Sequence, residues 1–366
     1  MSSETGQELT EVRAGHELDL GKLTEYLTAN MKVRGPLKIM QFEGGQSNPT
    51  YSIHDADGKR YVMRKQPPGD LANPSAHRVD REYTILEALS TKTNLPVPKV
   101  YVLCKDPAIA GKPFYIMEYC EGRIFAGVFG PFSKAIGPVV PDKNAYAYYH
   151  ELLDTLAAFH KVDINAVGLG NYGAKGKFYE RSINRFADIT RIQSQARDIR
   201  TGEKIVQIAR LDDIVAWMRR NLPPDENTLV HGDYRLGNVI FDKTEPKLIA
   251  ILDWELSTTG HPISDLLVCC GQFLNGSAPG HPSFEYLLQY YCKKVGRPYP
   301  IPYWDFFTAF NTWRGAVIGQ GIAMRYALGQ ASSQSAGLWA ATIGPSIDKV
   351  LAIVDRGDLY PDKPKM

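Results

Sequence analysis

The 366-residue sequence predicts an α+β protein of two unequal lobes: a small antiparallel sheet with one main helix, then a larger, mainly helical lobe. Three features carry that prediction. Residues 37–119 are short runs of strand-forming residues separated by turn signals, with one helical pattern among them. From residue 144 onward the apolar spacing is helical. A single strand-loop-strand island, residues 228–255, interrupts the helices. The implied division is a helical extension over 1–36, a first lobe over 37–117 and a second over 118–366.

In chain order, 18–31 reads as an amphipathic helix with Leu18, Leu23, Tyr26 and Leu27 near helical spacing, a flank that ends before Gly35-Pro36. KIMQFE, TYSIHD and RYVMRK follow as strands, separated by the polar loop GGQSN and by the hairpin signal Asp57-Gly58. After QPPGD, residues 77–90 place Val79, Tyr83, Leu86 and Leu89 on one helical face, and Pro96 and Pro98 close the segment. VPKVYVL and KPFYIMEY complete a sheet of about five strands. Beyond EGRIFAGVFGPF, helices are expected at 144–161, 178–200 and 204–221. Then come TLV, the loop HGDYRLGN, VIFD and KLIAILDWE, and helices resume to about residue 355. The sequence has neither an internal repeat nor a low-complexity tract.

Lys and Arg total 42 against 40 Asp and Glu, so the overall field favours neither nucleic acid nor an anionic membrane, and any anion site must be local. The five cysteines lack metal-ligand spacing and read as reduced core thiols. The acidic start has no presequence character, and no uninterrupted apolar stretch reaches the roughly 18 residues a membrane span needs. A soluble, cytoplasmic protein is therefore expected, with its oligomeric state open.

The densest chemistry lies in His231-Gly-Asp-Tyr-Arg-Leu-Gly-Asn238 and, fifteen residues on, Asp253. Phosphoryl transfer needs an acceptor to orient a hydroxyl and hard oxygen ligands to hold Mg²⁺ on the phosphates, and Asp233, Asn238 and Asp253 suit those roles. Taken singly, each could be an Asx turn or a cap. HGDYRLGNVIFD with ILDWELSTTGHPISDL resembles the catalytic and metal-binding segments of the aminoglycoside phosphotransferase family, the protein-kinase-like small-molecule kinases. GGQSNPTY, YVMRK and FYIMEY extend the likeness, which is strongest to the branch fused to acyl-CoA dehydrogenases. The resemblance implies a bilobal kinase-like fold and ATP with Mg²⁺. It also implies Asp233 as base, Asn238 and Asp253 as metal ligands, and His231 as the brace of the catalytic loop.

Several further residues acquire roles within that frame. Gly44, Gly45, Ser47 and Asn48 form a candidate phosphate cover, or a plain hairpin turn. Kinase-like folds place a phosphate-binding lysine on the third strand; here Arg64 stands there, and alternation sends Arg64 to the nucleotide and Lys65 to solvent. Glu82 is its expected partner, or else a rim residue paired with Arg78 or Arg81. Met117 would flank adenine, with backbone groups of Glu118 and Cys120 bonding the base. Asp265 reads as a cap or a buried acceptor for the catalytic loop, while Trp254 and Glu255 shape the acceptor side or continue a strand. Arg235 binds an acceptor anion or stabilises its own loop. The aromatic stretch 300–330, with Arg314 and Arg325, suits an amphipathic or anionic acceptor, and the branch likeness implies a hydroxy acid or hydroxyacyl-CoA. Two alternatives stay open: a non-catalytic nucleotide-binding regulator, given Arg64, and a metal phosphohydrolase.

Overall fold

The structure, a computed structural model, describes residues 8–43, 48–67, 78–125, 140, 142–273, 279–330 and 334–360. Its first lobe opens with β1 (Leu9–Thr10), too short to be read from sequence, and α1 (Leu20–Met31), which Asp19 caps by accepting from Lys22 N at 3.1 Å. Strands β2 (Lys38–Phe42), β3 (Thr50–His54) and β4 (Arg60–Lys65) form an antiparallel meander. The β3–β4 turn is closed by Asp55, whose Oδ1 accepts from Asp57 N and Lys59 N, with Gly58 at φ 78°. Helix α2 (Val79–Lys92), β5 (Val100–Cys104), the short α3 (Pro107–Ala110) and β6 (Phe114–Glu118) complete the lobe. The six described strands lie in the order β1-β2-β3-β4-β6-β5.

Each sheet face has its own cover. Tyr51, Ile53, Met63, Phe114 and Ile116 point to one side and are sealed by Leu23 and Leu27 of α1, with Val33 and Leu37. The N-terminal helix is thus a layer of the lobe rather than a loose flank. Val62, Tyr115 and Met117 point to the other side, against Leu86 and Leu89 of α2. Lys65 was expected in solvent, but α3 and α1 occupy that space: it is 5% exposed, with Nζ 3.4 Å from Ala110 O. Burial holds its pKa below the usual lysine range.

The helical lobe comprises α4 (Ala145–His160), α5 (Phe178–Gln193) and α6 (Leu211–Arg220), then two small ladders, then α7 (Ile263–Cys270), α8 (Phe284–Val295), α9 (Trp304–Ala327) and α10 (Ala340–Val354). The helices expected over 178–200 and 204–221 are both shorter. Asp198 turns the chain by accepting from Arg200 N, Gly202 takes φ 75°, and Arg197 pairs with Lys204 as an antiparallel bridge. The segment Ala336–Val354 is apolar and long enough, by length and composition alone, to cross a membrane. Its Ile343, Ile347 and Val350 are buried where α10 packs on α9 and α6, and Asp348 and Lys349 are exposed.

The ladders place the site. β7 (Thr228–Val230) pairs with β10 (Thr258–Gly260), and β8 (Val239–Phe241) pairs with β9 (Leu248–Ile251). The loop 231–238 joins β7 to β8 while the turn 252–257 joins β9 to β10, so the two connections face one another by construction. That arrangement explains why Asn238 and Asp253 can be fifteen residues apart and still meet: they flank the same end of the β8–β9 hairpin, where Leu252 N donates to Asn238 O at 2.8 Å.

Candidate active site

The cleft between the lobes holds a cavity of about 320 Å³ that reaches from Met117 and Cys120 to Arg64, Asn238 and Asp253. The loop 231–238 reaches it through Gly237 and Asn238. Gly232 is at φ 87°, and a Cβ there would stand 2.8 Å from Leu256 O, so both conformation and space require glycine. Asp265, on the first turn of α7, accepts from His231 N at 2.7 Å and Gly232 N at 2.8 Å. Burial would raise its pKa, but His160 at 3.3 Å, His231 and the backbone donor leave it below the ordinary value. Asp265 is the buried loop acceptor rather than a side-chain cap.

His231 bridges loop and turn. Nε2 lies 2.8 Å from Leu252 O and Nδ1 accepts from Asp233 N at 3.2 Å; an acceptor on one side and a donor on the other assign the neutral Nε2–H tautomer. The bracing role is what these contacts support. Trp254 packs on it, ring centroids 4.7 Å apart, with Nε1 donating to Ile251 O. Trp254 is 2% exposed, and Trp254–Leu256 is a 3₁₀ turn, which replaces both the strand continuation and the acceptor-side role for Trp254.

The Asp233 side chain is 29% exposed. Its carboxylate accepts from Asn238 Nδ2 at 2.6 Å and from Arg235 Nε at 3.0 and 3.1 Å. Arg235 is thereby placed as the loop's own ion-pair partner, the second of its two readings. Asp253 takes a left-handed backbone, φ 63°, which a short acidic side chain tolerates and which turns its carboxylate into the cleft.

Arg64 crosses between lobes. Nη2 donates to Asp253 Oδ1 at 2.7 Å and Glu255 Oε2 at 3.3 Å, and Nε lies 2.9 Å from Glu82 Oε2, an ion pair whose N–H is not aligned for a hydrogen bond. Glu82 is 1% exposed and also accepts from Asn48 Nδ2 at 2.9 Å and Tyr115 OH at 3.1 Å. Burial pushes its pKa up to about 7, against the pull of Arg64 and with help from the charges of Asp253 and Glu255. Those same carboxylates raise the Arg64 pKa despite its burial. Glu255 belongs to this nucleotide-side cluster.

Of the remaining expected contacts, Gly44, Gly45 and Ser47 lie outside the described residues. Asn48 is fully buried on Glu82, which makes it a brace for the ion pair rather than a group lining the cleft. Glu118 N donates to Lys99 O at 2.8 Å, so that N–H is not available to a base. Burial, then the Glu118 charge, pushes the Cys120 thiol up to about 12, which leaves it protonated and unreactive. Tyr115 was missed because its role depends on register: it pairs opposite Arg64 across β4 and β6.

A second cavity, about 370 Å³, opens on the far side of the loop between Gly232, Leu256, Arg185, Arg314 and Arg325. Arg314 Nη2 donates to Gly232 O at 2.8 Å, and burial lowers its pKa against the attraction of Asp233.

Residues 38–310 match the phosphotransferase enzyme family model, APH. The chain is 34% identical over 397 residues to the acyl-CoA dehydrogenase IBR3 of Arabidopsis thaliana, which spans all of this chain and 46% of the relative. It is 33% identical to human acyl-CoA dehydrogenase family member 11 over 96% of this chain and 45% of that one. The chain spans about half the length of these curated relatives. Among solved structures, a candidate aminoglycoside phosphotransferase from Ralstonia eutropha matches with TM-score 0.76 and 31% identity over 93% of this chain and 99% of that one. A type I macrolide 2'-phosphotransferase, 22% identical with TM-score 0.59 over 91% of this chain and 98% of its own, shares the fold. With its kinase-like two-lobed fold and a family match over 38–310, the chain belongs to the APH phosphotransferase enzyme family.

Proposed function

We propose that the protein transfers the γ-phosphoryl group of ATP to a hydroxyl of a small, anionic, amphipathic molecule, a hydroxy acid or its CoA thioester. The observation that carries the reading is the convergence of Asp233, Asn238 and Asp253 on one end of the β8–β9 hairpin, with Arg64 reaching Asp253 from the sheet. Adenine would lie beside Met117, and Arg64 would meet the phosphates on leaving Asp253.

Asn238 and Asp253 offer hard oxygens of the kind Mg²⁺ takes. Among the described residues no three His, Cys, Asp or Glu side chains are arranged so that they could hold a metal ion, so the rest of a metal shell would come from phosphate and water. That donor set fits a nucleotide-borne Mg²⁺ better than the all-protein cage a phosphohydrolase would need. When bound, Mg²⁺ would offset the charge of the phosphate oxygens. Asp233 accepts the acceptor hydroxyl's proton while the acceptor oxygen bonds to the γ-phosphorus and the bond to the β-bridging oxygen breaks, releasing ADP. Arg235 and Asn238 hold the carboxylate in place for that transfer, and His231 keeps its loop against the Asp253 turn.

The second cavity supports this acceptor class. Arg185, Arg314 and Arg325 border it together with Phe178, Phe310 and Leu256, a lining suited to a carboxylate on an apolar body and unsuited to a polycation. The dehydrogenase names of the longer relatives point the same way. The test is mass spectrometry with Mg·ATP and a panel of hydroxylated acids, their CoA thioesters, sugars and aminoglycosides. A gain of one phosphoryl unit on an acid or thioester, lost in Asp233→Asn, is expected. Phosphorylation confined to sugars or aminoglycosides would overturn the acceptor class, and equal turnover by Asp233→Asn would overturn the mechanism.

A further inference from the structure

Arg64 is held by two separate elements. Glu82 comes from α2, whereas Asp253 and Glu255 come from the turn 252–257, so the arrangement persists only while helix and turn stay in register. A loop of the helical lobe, 161–173 after α4, runs along α2 and bonds it at both ends. Near the helix C-terminus, Lys92 Nζ donates to Val167 O at 2.9 Å. In the first turn, Arg81 Nη1 donates to Tyr172 O at 2.8 Å, with the guanidinium carbon 4.3 Å from the centroid of the Tyr172 ring.

The same arginine reaches past the loop to the turn. Arg81 Nη2 donates to Ser257 O at 3.3 Å, and the Tyr172 hydroxyl shares a 2.6 Å hydrogen bond with Ser257 Oγ. Ser257 itself is tied back to the turn, its N donating to Trp254 O at 3.1 Å. Val167, Leu169 and Tyr172 are buried in one cluster with Leu86 and Leu89 of α2, so the contact is packed as well as polar. The approach is close: a Cβ on Gly173 would stand 2.4 Å from Thr259 Oγ1. Arg81 thus joins helix, loop and turn one residue before Glu82. A lysine, with a single nitrogen, could not stack on the ring and bond two carbonyls at once.

In kinase-like folds the position of the helix carrying this glutamate decides whether the phosphate-binding pair is assembled. We propose that Arg81 is a positioning residue: through Tyr172 and Ser257 it clamps α2 onto the Asp253 turn and keeps Arg64 gathered between Glu82 and Asp253 before nucleotide arrives. The inference rests on the proposed nucleotide site. It describes a phosphotransferase whose helix is fixed by its own second lobe rather than set by a partner or a modification.

The test uses the full chain and a fluorescent ADP analogue with Mg²⁺, with Arg81→Met measured in the presence of Arg64 and again in an Arg64→Met background. Arg81→Met is expected to weaken binding about tenfold when Arg64 is present and less than about twofold when it is not, the signature of action through Arg64. Tyr172→Phe, which loses one oxygen, should show the same coupling at about threefold and serves if Arg81→Met does not fold. In the ligand-free protein, Arg81→Met should speed amide exchange in α2 and leave α1 unchanged. Equal losses in both backgrounds, or unaltered binding and exchange, would overturn the clamp. Absence of any binding by the unmodified protein would instead count against the nucleotide site, with α2 exchange still deciding the clamp.

Discussion

Arg64 and Lys65 are neighbours on β4 and meet opposite surroundings. Arg64 lies among Glu82, Asp253 and Glu255 with Tyr115 behind it; Lys65 lies in an apolar layer with one carbonyl and a tyrosine ring 5.8 Å away. One face of the sheet concentrates charge at the cleft, and the other is a core that tolerates a cation by burying its stem. The contrast teaches that alternation tells which residues share a face but not what covers that face. Lys65 is enclosed only because α1 and α3 fold back over the sheet.

Substitutions on the two faces should therefore separate function from stability. Arg64→Met should lower kcat/KM for ATP by roughly 10²–10³-fold, the size of one preorganised charge contact. A loss under fivefold in steady-state kinetics would break the contrast. On the opposite face, Leu27→Ala opens a cavity beneath the sheet and should cost about 2–4 kcal/mol in denaturant unfolding, while the folded enzyme keeps its kcat/KM.

Glu82 sharpens the comparison through pH. Its pKa is pushed up to about 7, first by burial, so between the ordinary value and about 7 the folded protein keeps a proton that the unfolded chain has lost. Stability from this group is therefore full below the ordinary carboxylate value and is lost as pH rises through about 7. Glu82→Gln should flatten the stability profile relative to the parent, by an amount on the order of 2 kcal/mol between pH 5 and 7.5. Parallel profiles in urea titrations would show that Glu82 is ionised throughout. The smallest effect belongs to Lys65→Met, expected within about 1 kcal/mol in stability and twofold in kcat/KM, since an apolar side chain of similar length relieves the desolvation without opening a void.

Much of the candidate site was legible because its parts are local. Asp233 and Asn238 share one eight-residue loop, Asp253 follows one hairpin later, and helical periodicity put Glu82 on the inward face of α2. What sequence reading missed depends on distant packing. Tyr115 reaches Glu82 because of strand register, and Trp254 is a brace because the chain turns at Asp253 and lays its ring on His231. The break at Thr201-Gly202 between the two expected helices was legible as a turn signal, but its extent was not: α5 ends at Gln193 and α6 begins at Leu211.

The amino-acid order alone indicated the candidate residues of the loop and turn, most of the strands and helices, and which side chains share a face, because spacing and periodicity are properties of neighbours along the chain. Tertiary structure decided what each face meets. The burial of Lys65, the grouping of three carboxylates about Arg64, and the loop that binds α2 to the turn bearing Asp253 all arise from segments tens to hundreds of residues apart. Such contacts follow from excluded volume and the pairing of buried polar groups in the assembled chain, and no local pattern encodes them.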